Sequence, residues 1–272
     1  KNLKSDTYTV EDYSALDEAS KILIKTSDLL VIRDPYVMLG LVLIGVFVLF
    51  VVSKMPQSKE EGGMPSIGHT FAVLSKNKKY MLGVLAQIFH TGCLVMCWTY
   101  IYQYAEAIGI DSVTAGYYQM AAFVLFTIGR AVGTYLLKFV SSGRLLMYFA
   151  IFGGAFVLGA IFIEGIIGLY SLVGISFFMS LMFPTIYGIA LNDLTEEQSK
   201  VGSAGLIMAI VGGALMPKLQ GMIIDTGGNG VADTTILGVS EVNFSYVLPL
   251  VCFVYIGWYG SNVYKKYESA KV

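Results

Sequence analysis

The stretch YMLGVLAQIFHTGCLVMCWTYIYQYA, residues 80–105, decides the fold class of this chain. It holds 26 consecutive residues without a fixed charge, between lysines before it and Glu106 after it. A helix of about 20 apolar residues crosses a hydrocarbon core of about 30 Å, so the stretch predicts a membrane-spanning helix. Its polar side chains, among them Gln87, His90 and Trp98, fall roughly along one stripe of that helix. Because polar groups in hydrocarbon are costly without a partner, the stripe is typical of a helix that lines a watery cavity.

Composition places the whole chain in the membrane class. Of its 272 residues, 56% are hydrophobic and 14% are charged, and the mean hydropathy is +0.68. Soluble domains carry about 25% charged residues. The net charge of −1 gives no basic surface for nucleic acid. We therefore expect an all-α integral membrane protein.

Seven uncharged or nearly uncharged stretches are long enough to span a membrane. Residues 1–34 are polar, and we predict an external loop with a short helix there, with Asp34-Pro35 opening the first span. Residues 54–79 form a predicted cytoplasmic linker that includes the amphipathic piece HTFAVLSKNKK. The predicted spans are 35–53, 80–105, 112–137, 145–163, 165–191, 201–224 and 242–264.

The connections between spans alternate in charge. The segments 54–79, 138–144, 193–200 and 265–272 hold all the lysines and arginines that lie between the spans, whereas the other connections hold six acidic residues. Positive loops stay on the cytoplasmic side. The pattern predicts a multi-pass protein with residues 1–34 outside and a cytoplasmic tail at 265–272.

Two charges lie inside the predicted spans. Arg130 lies two turns before Lys138, and we interpret it as a clamp on a carbonyl or on an acidic residue such as Asp193. Lys218 lies two turns inside the outer end of its span, where it either snorkels or faces a cavity. Pro217 and the pair Gly212-Gly213 are expected to loosen that helix, as in transporter hinges, or to allow close helix packing.

The three cysteines, Cys93, Cys97 and Cys252, all lie in apolar stretches. Cys93 and Cys97 are one helical turn apart, but no further Cys or His set completes a metal site around His90. We expect buried, inert thiols, and neither a metal nor a cofactor. The chain begins at Lys1 with a polar segment, and we expect it to be the middle of a longer protein.

Four blocks carry a family resemblance. AQIFHTGCLVMCWTYIYQYAE, FTIGRAVGTYLLKFVSSGRLL, MSLMFPTIYGIALNDL and KVGSAGLIMAIVGGALMPKLQG follow one another in this order. Together they resemble the C-terminal half of the fucose:proton symporter family (fucose, glucose and galactose type) of the major facilitator superfamily. The resemblance runs from about Asp34 to the end, so that residues 35–53 resemble family helix 6 and residues 80–264 the C-terminal six-helix bundle.

The resemblance implies a fucose-like hexose as substrate, the proton as coupling ion, and alternating access between two bundles. It also implies that the proton-carrying acidic residues belong to the N-terminal bundle, which would be the missing partner of this chain in a bacterial inner membrane. Family members of the fucose type tend to have tyrosine where His90 stands and glutamine where Leu94 stands, and this difference bears on which hexose is bound.

Sugar sites combine hydrogen-bonding amides and hydroxyls with aromatic faces. Gln87 matches the family glutamine and is expected either to line the cavity or to bond another helix. His90 is a neutral packing group or a proton sensor, and Trp98 is a stacking platform or a packing residue. Further candidates are Tyr118 and Gln119 on the next span, and Tyr187 after Phe183-Pro184, where Pro184 is a candidate gating residue.

Two other classes of protein share some of these features. A seven-helix receptor or retinal-type protein would need a buried lysine with an acidic counter-ion; Lys218 is available, but no predicted span supplies a carboxylate. A scaffold that pairs with another membrane chain is the third possibility. No Ser/His/Asp set or phosphate loop supports an enzyme.

Overall fold

The computed structural model describes residues 16–53, 67–228 and 234–268, in two units that divide between residues 63 and 64. Seven helical segments in the described part are long and apolar enough to cross a membrane, as the sequence predicts. They are Glu18–Leu49, Lys78–Thr99, Ser112–Leu136, Ser142–Phe162, Ile166–Leu191, Glu196–Ile224 and Glu241–Tyr267.

Helix α1, Glu18–Val52, forms the first unit and corrects the predicted start of the first span. The helix begins after Asp17, whose carboxylate accepts a hydrogen bond from the Ser20 N–H at 3.4 Å, and it continues through Pro35. The short helix predicted within 1–34 and the first predicted span are therefore one continuous helix, because the capping aspartate starts the helix well before the proline. Residues 1–15 and the first half of the predicted linker, 54–66, lie outside the described residues.

The second unit begins with a short amphipathic helix and the central span. Helix α2 is Ile67–Lys76, and Thr70 and Leu74 on one of its faces are buried. Helix α3 is Lys78–Thr99, capped by Asn77, whose side chain accepts from the Tyr80 N–H at 3.2 Å. The predicted single helix breaks at Tyr100, and α4, Ile101–Ala107, follows.

The next three predicted spans form four helices. Helices α5, Ser112–Leu136, and α6, Ser142–Phe162, match two of the predictions within three residues at either end. The predicted span 165–191 is divided into α7, Ile166–Met179, and α8, Met182–Leu191. The break exposes the Ser180 carbonyl to Arg130, whose Nε and Nη2 donate to it at 3.3 and 3.2 Å. A clamp on a carbonyl is one of the two interpretations given above; Asp193 instead pairs with Lys79.

The last two spans are also interrupted. Helix α9, Glu196–Met208, passes through a 3-10 turn, Ala209–Val211, into α10, Gly212–Ile224. A two-stranded antiparallel hairpin, β1 Thr235–Ile236 and β2 Val239–Ser240, precedes α11, Glu241–Ser245, and α12, Val247–Val263. The 3-10 turn ends where the sequence predicts loosening at Gly212-Gly213.

Helix α3 is the centre of the second unit, since it packs against α8, α10 and α12, while α6 packs against both α7 and α12. The fit of α3 against α10 depends on Gly212: a Cβ there would overlap the carbonyl of Ile88, with the carbonyl carbon at 2.8 Å. Gly212 thus lies in close contact with α3, and a gating role stays a prediction.

Candidate substrate site

Two of the predicted polar side chains lie in the middle of α3 and are fully enclosed. Gln87 and His90 are the tenth and thirteenth of its 22 residues, and their exposed fractions are 0% and 1%. Among the described residues, neither amide atom of Gln87 has a hydrogen-bond partner, and neither does Nδ1 of His90. The helix–helix hydrogen bond considered for Gln87 is thus not formed.

Gln119 on α5 shares this condition. Its side chain is 7% exposed, and both amide atoms are buried without a partner in the described part of the chain. We call Gln87, His90 and Gln119 the middle set. A buried polar group without a partner costs about 1–3 kcal/mol, so the middle set is a costly arrangement unless something else binds it.

The aromatic candidates fall into two groups. The His90 ring lies edge-on to Phe183 at 6.2 Å, and Phe183 lies nearly parallel to Tyr187 at 6.4 Å. Trp98 instead packs edge-on against Phe123 and Phe126 of α5, at 4.8 and 5.1 Å. The structure therefore brings His90 and Tyr187 to one aromatic row and places Trp98 elsewhere.

Trp98 also has its hydrogen bond satisfied. Its indole Nε1 donates to Ser176 Oγ on α7 at 3.2 Å, so the side chain ties α3 to α5 and α7. Tyr118 lies beside Tyr170 of α7, with ring centroids 5.9 Å apart. These contacts are those of packing residues, although the Trp98 and Tyr118 side chains are only half-buried and keep an accessible part.

Two of the predicted structural or gating residues, Pro184 and Gly212, lie next to helix interruptions. Pro184 is exposed in the first turn of α8, and Gly212 opens α10. Pro217 lies inside α10, where its carbonyl accepts from the Tyr100 OH at 2.7 Å, while Lys218 beside it is exposed. Arg130 is exposed as well, apart from its bond to Ser180 and its guanidinium 5.2 Å from the Phe126 ring.

The fraction of residues that are buried differs among the spans of the second unit. Within the most apolar stretch of each, 50% of α3 is buried, against 22% of α5 and 22% of α9–α10. Both poorly covered spans carry an exposed cation, Arg130 on α5 and Lys218 on α10. Because a cation facing lipid is costly, these faces are suited to another protein surface or a watery cavity.

A second group of buried polar side chains was not predicted from the sequence. Asn243 Nδ2 donates to the Tyr104 OH and to the Ala160 carbonyl, both at 3.1 Å. Gln220 Nε2 donates to Ser245 Oγ at 2.9 Å. We call Tyr104, Gln220, Asn243 and Ser245 the outer set. Amides within apolar stretches are the sequence signal that marks them.

Glu241 was also missed, because it immediately precedes the predicted span 242–264. It is fully buried at the start of α11, where its Oε2 accepts from the Gly227 N–H at 3.1 Å. The cysteines are buried and unpaired as disulfides, and no cluster of three or more metal-ligating side chains occurs among the described residues.

The four basic connections meet at one end of the unit. A cavity of about 780 Å³ there is lined by residues from each of them, including Lys79, Ser141, Asp193 and Tyr267. Lys79 Nζ lies 2.8 Å from Asp193 Oδ2 and 4.9 Å from the centre of the Tyr267 ring. A smaller cavity between Glu106 and Asp225 marks the acidic end.

Comparison with known proteins identifies relatives along nearly the whole chain. The L-fucose-proton symporter of Haemophilus influenzae is 47% identical over 268 residues, which are 97% of this chain and 61% of that protein. The L-fucose-proton symporter of Escherichia coli is 28% identical over 85% of this chain and 51% of its own length. No protein-family model matches the chain.

Solved structures agree on the fold. A crystal structure of the E. coli fucose:proton symporter superimposes with a TM-score of 0.77, at 24% identity, over 94% of this chain and 60% of that one. The chain thus spans between 51% and 61% of the length of these proteins. Its fold is that of helix 6 and the C-terminal six-helix bundle of a major facilitator transporter.

Proposed function

We propose that this chain, which is homologous to the C-terminal part of the L-fucose-proton symporters, is that portion of a proton-coupled hexose symporter working by alternating access. The single observation that carries the proposal within the structure is the middle set. Among the described residues, the amides of Gln87 and Gln119 and Nδ1 of His90 are buried without hydrogen-bond partners, in a unit whose α5 and α9–α10 spans are poorly covered. A sugar, water or a second bundle would supply both the missing partners and the missing cover.

The residues available for a hexose have suitable chemistry. The amides of Gln87 and Gln119 can donate to and accept from sugar hydroxyls, and the His90 ring can do either, depending on its tautomer. Trp98, Tyr118 and Tyr187 offer ring faces for the apolar side of a pyranose. Movement of α3 and α5 against a second bundle would open the middle set to the sugar.

Coupling requires a group that gains and loses a proton during the cycle, and no cofactor is needed for it. Among the described residues, the buried carboxylate is Glu241, which lies at the outer end and bonds the backbone of Gly227. We therefore assign the proton-carrying acids to the N-terminal bundle, and His90 is a titratable side chain of α3 whose effect on coupling the substitutions below test.

The charge distribution supports an orientation. The basic connections gather around the cavity that contains Lys79, and the acidic ones lie around the cavity at Glu106 and Asp225. Since basic loops stay inside, we place the Lys79 end and the C-terminus in the cytoplasm of a bacterial cell whose inner membrane holds the protein.

A transport assay tests the proposal directly. Liposomes that contain residues 1–272 alone, under an imposed proton gradient, should not accumulate L-fucose, because a site between two bundles lacks half its walls when one is absent. Co-reconstitution with an N-terminal bundle from the H. influenzae relative should restore uptake. Accumulation by the isolated chain would show that it is a complete transporter and that the proposal is wrong.

Substitutions in the middle set sharpen the test. In the complete transporter, Gln87→Ala should weaken sugar binding by roughly 5- to 100-fold, the equivalent of an unpaired hydroxyl in a dry site. His90→Gln should keep binding if the ring only bonds the sugar. Asn262→Ala removes an amide of α12 outside the site and serves as the control. Unchanged affinity in a folded Gln87→Ala protein would exclude Gln87 from the site, whereas loss of pH dependence alone in His90→Gln would assign His90 a proton role.

A further inference from the structure

An apolar groove runs along the outside of the α6–α12 pair. It has a volume of about 570 Å³, and its walls extend from Met147 to Leu158 on α6 and from Leu250 to Ser261 on α12. Its lining includes small residues, Gly154 and Gly257 among them. The groove exists because two helices that pack closely have no large side chains to fill the space between them at these positions.

The dimensions of the groove suit one lipid chain. Each wall runs over twelve residues, and the eleven helical rises between its ends give a length of about 16 Å, which is about half of a hydrocarbon core. Spread over that length, the volume corresponds to a cross-section of roughly 36 Å². An α-helix with its side chains is about 10 Å across, so the groove is too narrow to seat a helix of a second copy.

One end of the groove is cationic. Arg144 lies one helical turn before Met147, and Tyr264 and Lys265 lie one turn after Ser261. The Arg144 guanidinium lies 4.4 Å from the centre of the Tyr264 ring and donates to its hydroxyl. A guanidinium has five N–H donors, so this contact leaves donors for a further acceptor. The opposite end of α6 is followed by the acidic Glu164.

We propose that this groove binds an anionic phospholipid, with one acyl chain between α6 and α12 and the phosphate at Arg144 and Lys265. The polarity follows from the charges, because a headgroup of negative charge is favoured at the basic end and disfavoured near Glu164. The groove then belongs to the leaflet at the end where the four basic connections meet. The proposal requires only that the helices span a membrane, and it is independent of the sugar and the proton.

Trp258 makes the groove directly observable. It lines the groove, and the chain has two tryptophans in all, so Trp98→Phe leaves Trp258 as the reporter. The full chain is placed in nanodiscs of phosphatidylglycerol and phosphatidylcholine, with bromines on the acyl chains of either lipid. Quenching of Trp258 should be stronger from brominated phosphatidylglycerol, with each cation favouring it by about fivefold.

Two variants separate the headgroup from the chain. Arg144→Gln with Lys265→Gln should abolish the preference for phosphatidylglycerol, whereas Lys200→Gln, an exposed cation on α9, should preserve it. Gly154→Leu should fill the groove and reduce quenching by both lipids. Its Cβ would lie 3.7 Å from Phe253 Cβ and 3.9 Å from Leu250 Cδ1, so the fold has room for the substitution.

Several results would overturn the proposal. Equal quenching by the two lipids would mean that the groove is filled by bulk lipid without headgroup recognition. Absence of quenching by either lipid, with a dimer in size-exclusion chromatography, would assign the groove to a second copy. A double variant that keeps the preference would exclude Arg144 and Lys265 as the headgroup site.

Discussion

The middle set and the outer set are both buried and polar, yet they differ in how their hydrogen bonds are satisfied. In the outer set, Asn243 bonds Tyr104 and a carbonyl of α6, and Nε2 of Gln220 bonds Ser245, so that Oε1 of Gln220 is the one amide atom of these two side chains that is buried without a partner in the described part of the chain. In the middle set, both amides of Gln87 and Gln119 have no partner in the described part of the chain. Amide side chains therefore form hydrogen bonds to other helices in the outer set and form none in the middle set, within the described residues of the same unit.

Under the function proposed above, the difference separates structural polar groups from substrate-binding ones. A buried hydrogen-bonded network fixes the helices that it joins, and the bonds of the outer set join α4, α6, α10 and α11. An unsatisfied buried amide costs free energy, which agrees with the proposal that Gln87 and Gln119 bind a group that the described residues do not supply. Polar composition by itself does not distinguish the two sets; the hydrogen-bond partners do.

The largest loss of stability is expected from a substitution that disrupts the close contact between α3 and α10 at Gly212, beside the middle set. Gly212→Ala would press a methyl group into the Ile88 backbone, and backbone cannot move aside, so we expect a loss of about 3 kcal/mol or more in the free energy of unfolding. Gly213→Ala is the matched control, because its Cβ would meet the Val95 side chain at 3.0 Å, which can shift. Unfolding in mixed detergent and SDS micelles measures both. Equal losses for the two variants would contradict the close contact between Gly212 and the Ile88 backbone.

A loss of stability of intermediate size should distinguish the outer set from the middle set. Tyr104→Phe removes the hydroxyl that Asn243 bonds, and we expect it to destabilise the chain by about 1–3 kcal/mol. Gln87→Leu removes an amide without a partner, so in the isolated chain it should be neutral or stabilising. The same unfolding measurement compares them. If Gln87→Leu costs as much as Tyr104→Phe, the middle set has partners in the membrane that the isolated unit does not show.

The smallest effect concerns a polar group outside the spans. Asp111 caps α5, and its carboxylate accepts hydrogen bonds there. The bonds with Thr114 lower the pKa of Asp111 the most from its usual 3.8, and the bond from the Val113 N–H lowers it further. A lowered pKa in the folded state means that the cap stabilises fully above about pH 4 and that this contribution is lost as the pH falls through the folded value.

The Asp111 cap is tested by thermal unfolding as a function of pH. Asp111→Ala should lower the midpoint at pH 7 and flatten its acid dependence, while Asp111→Asn keeps a capping oxygen that does not titrate and should preserve most of the midpoint. An unchanged acid dependence in both variants would show that another carboxylate dominates it.

Some features of the fold could be predicted, and others could not, for identifiable reasons. Long uncharged stretches gave seven spans, since charge is excluded from hydrocarbon whatever the neighbours are. The interruptions at Tyr100 and Ser180 left no such signal, because both stretches are free of charged residues throughout. The start of α1 was misplaced because a proline and a capping aspartate both signal a helix start.

The candidate site shows the same division. Gln87, His90 and Gln119 were found as polar residues in apolar spans, and their burial confirmed that they are unusual. Trp98 carried the same signal, but only the structure shows that Ser176 satisfies its indole and that Phe123 and Phe126 enclose it. Conversely, Asn243 and Gln220 were passed over, although their amides are as conspicuous in the sequence.

The sequence by itself determined the membrane class, the number of spans and the gathering of basic connections at one end, because these depend on the transfer of charge and apolar surface between water and lipid. The tertiary structure alone decided which buried polar groups have partners, where Gly212 brings α3 and α10 together, and that α6 and α12 leave a groove between them. Those features depend on distances between residues far apart in the chain, and no local pattern encodes such distances.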